Sequence, residues 1–107
     1  MGAPLARKIM RLADSPIKQV RWHVAQLLPR LELRGRDKAL RLQILRRWLD
    51  DDDSVIVRVN SLQSFVQLAR PDPRLRKEML DRLQAALTDR SAAVRARARK
   101  LTAIVER

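Results

Sequence analysis

Asp52-Asp53-Ser54-Val55-Ile56-Val57-Arg58 and Asp89-Arg90-Ser91-Ala92-Ala93-Val94-Arg95 are two copies of one short pattern. Each opens on acidic and hydroxyl groups, which cap free N–H groups and favour the positive end of a helix dipole. Each reaches a Val-Arg pair five residues after its Asp, and the copies stand 37 residues apart. A further 37 residues upstream lies Val20-Arg21, with Asp14 displaced by one position. Leu31, Leu68 and Val105 follow at one common offset. Units repeated in this way cannot bury their own apolar face and stack on one another.

Working outward, Pro and Asp clusters divide the chain into six helical segments. The first runs from about Pro4 to Ala13, with Leu5, Ile9 and Leu12 at helical spacing. Ser15 is the expected cap and Pro16 the expected first position of the second, which runs to about Leu31 through Val20, Val24 and Leu27. Arg34-Gly35-Arg36-Asp37 is a turn, with Asp37 as cap. The third segment carries Leu42, Leu45 and Leu49 on one side and Leu40, Ile44 and Trp48 on another, which sandwiches it between neighbours. Residues 50–54 cap a fourth helix carrying Val57, Phe65 and Leu68, Pro71-Asp72-Pro73 opens a fifth through Leu87, and residues 89–91 open a sixth through Val105. Period-two alternation is absent. The expected fold is all-α: one domain over residues 1–107, made of three helix pairs at about 4–34, 36–70 and 72–107.

Composition removes several functions. Without Cys there is no disulfide, thiolate metal site or cysteine nucleophile, and one His cannot build a His cluster. Two Gly, no Tyr and one Phe argue against a β fold, and no apolar run approaches a membrane span. No leader segment is recognisable. His23 has no catalytic companions at suitable spacing, so no enzymatic activity is expected. The acidic run Asp50 to Asp53 lacks the turn Gly and distal Glu of a calcium loop and reads as a helix cap. No metal and no cofactor is expected.

The pattern Asp–x4–Val-Arg on the second helix of each pair resembles HEAT repeats, over nearly the whole chain. The resemblance implies an α-α superhelix (an α-solenoid). It also implies a ladder of ion pairs between neighbouring repeats, with Asp52, Asp89, Arg21, Arg58 and Arg95 in the ladder positions. It places the second helices on a concave face.

The chain holds 24 Lys+Arg against 12 Asp+Glu, a net charge of +12, yet the stretches 17–31, 55–69 and 92–105 contain no acid. A concave face built from them would be positive and attract acidic partners. Lys18, Arg30, Arg97, Arg99 and Lys100 are its expected contact cations, while Arg41 and Arg47, on the opposite helices, should matter less. Trp22 lies roughly 180–200° from the apolar stripe of its helix and is either an exposed binding anchor or packed on a neighbour. The expected activity is non-catalytic scaffolding in the cytoplasm, with an acidic protein surface as partner. The alternative is a nucleic-acid-binding module that contacts the phosphate backbone without sequence preference. Leu5, Ile9 and Met10 at one end, and Leu101, Ile104 and Val105 at the other, lack a capping repeat, so either the chain is cut from a longer array or its ends pair with another copy.

Overall fold

The computed structural model describes residues 3–107, and among them every regular element is a helix. These are α1 (Ala3–Arg11), α2 (Lys18–Leu27), α3 (Arg36–Asp51), α4 (Val55–Ala69), α5 (Arg76–Ala86) and α6 (Ala92–Val105). Short 3-10 turns follow α1 (Leu12–Asp14), follow α2 (Leu28–Arg30) and precede α5 (Pro73–Leu75).

The repeated stretches start their helices by one device. Ser54 Oγ accepts the Val57 N–H at 3.3 Å and Ser91 Oγ accepts that of Val94 at 3.4 Å. Two residues before each cap, a carboxylate of Asp52 or Asp89 accepts the cap's own N–H, both at 2.8 Å. The first copy differs. Ser15 Oγ takes the Ile17 N–H at 3.2 Å, a local turn that delays α2 until Lys18 and leaves Pro16 outside the helix. Asp37 likewise does not cap α3. Gly35 occupies that position with φ 54° and no capping side chain, and Asp37 sits in the first turn. Asp50 and Asp51 close α3 rather than open α4.

Pro29 ends α2 earlier than its apolar stripe suggests. It has no N–H to give the carbonyl of Ala25, and its ring crowds that carbonyl, so the chain tightens into the 3-10 turn. The freed Ala25 carbonyl accepts the hydroxyl of Ser64, on α4.

Helix α4 lies between α2 and α6 and also packs on α3 and α5. Val57, Leu62 and Phe65 are essentially sealed from solvent there. Around them close Val24, Ala25 and Leu28, then Ile44, Leu45 and Trp48, then Met79 and Leu83, then Val94, Ala98 and Leu101. Val20, expected to match buried Val57 and Val94, is only partly buried, because α2 has little beyond it on its outer side. The first segment turns inward a face that overlaps the expected one only at Ile9, which packs partly against the core: Ala6 and Met10 of α1 and Ala13 of the turn after it are buried, while Leu5 and Leu12 are half exposed. Leu40, in the first turns of α3, is also exposed.

Candidate binding face

Two sets of contacts tie α2, α4 and α6 to their neighbours, on different flanks. The first is ionic. Arg21 on α2 grips Asp52 through Nε at 3.0 Å and Nη2 at 3.3 Å, and its Nη1 donates to the Ser15 carbonyl at 3.0 Å. Arg58 on α4 meets Asp89 through Nη1 at 2.8 Å and Nη2 at 3.4 Å. Arg58 holds the Asp89 carboxyl below its ordinary range, helped by the Ser91 N–H. Arg95, one period later, donates Nη1 to the Asp89 carbonyl at 2.7 Å and forms no ion pair.

The second set was not anticipated from the sequence. Gln26 Nε2 donates to Asn60 Oδ1 at 3.2 Å, joining α2 to α4, and Arg97 Nη1 donates to Gln63 Oε1 at 2.9 Å, joining α6 to α4. Gln26, Gln63 and Lys100 stand at 37-residue intervals, as do His23, Asn60 and Arg97. Both bonds therefore join equivalent positions of adjacent units, a polar rung used twice. The signal was present in the same period that aligned Val57 with Val94, but it is carried by residues of differing type.

The expected contact residues distribute around these rungs. Arg97 and Lys100, three residues apart on α6, share the rung face. Lys18 is exposed in the first turn of α2, and Arg30 is exposed but belongs to the 3-10 turn after α2. Arg99 departs from the group. It is exposed at the position occupied by buried Ala25 and Leu62 in the earlier units, and so lies on the outer flank of α6. Trp22 is half-buried against the core and stacks on His23, ring centroids 3.8 Å apart. Its indole is a wall of the face more than a free anchor.

Acids are spent elsewhere. On the α3–α5 side, Arg46 grips Glu78 at 2.7 and 2.9 Å, and Arg82 bridges Glu78 and Asp50, both at 3.0 Å. Bonding to Arg46, more than to Arg82, holds the Glu78 carboxyl below its ordinary range. Both guanidinium groups lie near the Phe65 ring, at 6.0 and 5.5 Å from its centroid. Arg47 reaches Asp14 at 3.4 Å at the surface. Among the described residues, no ion pair involves Lys18, Arg30, Arg97, Arg99 or Lys100.

Arg41 lies on the opposite helix α3 and is 6% exposed, with Nη1 donating at 3.0 Å to the carbonyls of both Leu28 and Leu31. Long side chains on a helix lean toward its N-terminus, which brings Arg41 onto the end of the α2 segment. Burial pushes its guanidinium below the usual value.

Among the described residues no group of His, Asp and Glu could hold a metal ion, and no helix is long and apolar enough to cross a membrane. Compared with protein-family models, curated proteins and solved structures, the chain matches none.

Proposed function

We propose that the chain is a non-catalytic binding scaffold that recruits an acidic protein surface to the face formed by α2, α4 and α6. The observation that carries this reading is the electrostatic division of the molecule. The acids of the ion pairs are engaged at the turns and along α3 and α5, while the polar rungs between α2, α4 and α6 use Gln26, Asn60, Gln63 and Arg97, and neither Arg97 nor Lys100 on that face has a carboxylate partner. Such a face presents a net positive field at no internal cost, because glutamine and asparagine join the helices without cancelling the cations.

The same reading takes the three helix pairs as a HEAT-like superhelix with this face on its concave side. Its support is that α2, α4 and α6 pack in succession and that ion pairs and amide rungs recur at the repeat interval. Against this background the ends of the array are open to a second copy.

Anisotropy titrations with a fluorescent acidic peptide and with mixed-sequence single-stranded DNA test the assignment. Arg97→Glu with Lys100→Glu should weaken peptide binding by roughly tenfold or more, whereas Arg47→Glu should change it little. A phosphate-backbone reading is favoured by the charge alone. If about four cations met phosphates of the single strand, affinity would fall roughly 50-fold between about 50 and 200 mM salt. A fall of that size with DNA, and none measurable with peptide, would replace the protein partner by nucleic acid. Unchanged binding of both probes to the double variant would remove the face from the function.

A further inference from the structure

A cleft of about 1130 Å³ lies away from the polar rungs of the proposed binding face. It opens between the first turns of α3, the end of α4 and the Pro71–Leu75 turn, with Pro29 at its edge. Arg41 lines it. Both carbonyl bonds of that residue use Nη1, so the edge formed by Nε and Nη2 has no protein partner, and Nε is buried without one. That edge is the one through which Arg21 grips Asp52 and Arg46 grips Glu78. In both of those pairs the partner is a carboxylate, held side-on by two parallel bonds. Arg41 has the donor edge and the burial but no acid.

A buried cation left uncompensated costs several kcal/mol unless something pairs with it. The rest of the cleft supplies no anion for it. Its one carboxylate, Asp72, is engaged by Arg74 Nε and Nη2, both at 3.2 Å, and by the Arg74 N–H at 3.0 Å. Lys38, exposed at the rim, adds a second cation and lies close enough to act on the Asp72 charge. The start of α3 adds N–H groups that no side chain caps. Beyond this polar end the walls are apolar, with Leu42, Leu68, Leu75, Pro71 and Pro73.

We infer that this cleft is a binding site for a small organic carboxylate with an apolar body. The carboxylate lies on Nη2 of Arg41, the guanidinium nitrogen that is neither hydrogen-bonded nor sealed from solvent, assisted by Lys38, and the body lies against Leu42, Leu68 and Leu75. The site is independent of the α2–α4–α6 face, so either assignment can fail without the other. Its polar end is preorganised, because the two carbonyls fix the guanidinium before any ligand arrives.

Hexanoate is a suitable probe, with hexanol as its neutral counterpart and inorganic phosphate as an anion without a body. Two-dimensional amide NMR of the full chain should show saturable shifts at Lys38, Ala39, Leu42, Leu68 and Leu75, and at the Arg41 Nε–H, with half-saturation near about 1 mM. Hexanol or phosphate should bind at least roughly tenfold more weakly. Lys38→Glu leaves the core intact and should weaken hexanoate by about tenfold. Arg41→Met should abolish binding, and its folding is checked by the same spectra. Should Arg41→Met fail to fold, the shift of the Arg41 Nε–H in the parent together with the Lys38→Glu titration decides the matter. The inference is overturned if no saturable shift appears by about 20 mM. It is equally overturned if phosphate binds as well as hexanoate, if Lys38→Glu binds as well as the parent, or if the shifts lie along α6.

Discussion

Replacing Asp89 with Ala probes how the second and third helix pairs are held together. The substitution leaves the Arg58 guanidinium without a carboxylate in a residue only 8% exposed, whose Nε already lacks a partner. Breaking a fully buried pair from one side costs about 3–5 kcal/mol. Asp89 is not fully buried, its side chain being 21% exposed, so water recovers part of that loss. The Ser91 N–H also loses its acceptor, which adds about 1 kcal/mol. The expected total is about 3 kcal/mol, a fall in Tm of roughly 12–20 °C for a domain of this length. Urea unfolding followed by circular dichroism measures it. The asymmetry of the pair supplies the sharper test. Arg58→Met alone removes the buried charge and leaves Asp89 its Ser91 bond and access to water, so it should cost about 1 kcal/mol or less. Arg58→Met added to Asp89→Ala should restore at least half of the loss. Asp89→Ala within about 0.5 kcal/mol of the parent, or a double variant no better than Asp89→Ala alone, would refute the reasoning.

Val57, fully buried on α4, should not tolerate a charge: Val57→Asp should abolish the cooperative helical signal, and a melt within a few degrees of the parent would contradict the packing. Asp89 and Glu78 carry depressed folded pKa values, so protonation favours the unfolded chain. Their stabilisation is complete above the ordinary carboxylate range, about pH 4, and is lost as pH falls through the depressed values. Asp89→Asn should therefore flatten the acid limb of the stability curve, and an unchanged limb would remove the pair from it. At the α1 end, Leu5, Leu12 and Ile17 are exposed by 50%, 50% and 55%. Light scattering should show concentration-dependent self-association that serine at these three positions abolishes, whereas a parent that stays monomeric at about 1 mM would rule this contact out.

The parts of this fold that were readable from sequence are those decided within one turn of chain. Ser54 and Ser91 start α4 and α6 where the Asp-x-Ser pattern says they should, since the cap, the carboxylate and the first N–H groups are neighbours in sequence. Ser15 shows the limit. It has the right chemistry, but with Asp14 one position away its hydroxyl closes a turn on Ile17 instead. The inward face of the first segment is not the one its Leu side chains suggest, since Ala6, Met10 and Ala13 are buried while Leu5 and Leu12 stay half exposed. Arg41 could not be placed from periodicity at all. Its burial depends on two carbonyls of the α2 segment that are exposed only because Pro29 breaks that helix. The amide rungs were missed because the aligned positions mix Gln, Asn, Arg, Lys and His. Their common role is donor or acceptor geometry, which composition does not report.

The repeat spacing also sets a clock for assembly. Side-chain hydrogen bonds between helix pairs join residues 10 to 39 positions apart, from Arg41–Leu31 to Ser64–Ala25. Loops of this length are closed at a modest entropic cost, because that cost grows only slowly with loop length. On a growing chain, α2 has no partner for the Ala25 carbonyl until Ser64 has been synthesised, so the first pair waits on α4. Once α4 is in place, each later helix has a finished template. The third pair therefore adds to an existing surface and does not have to nucleate one.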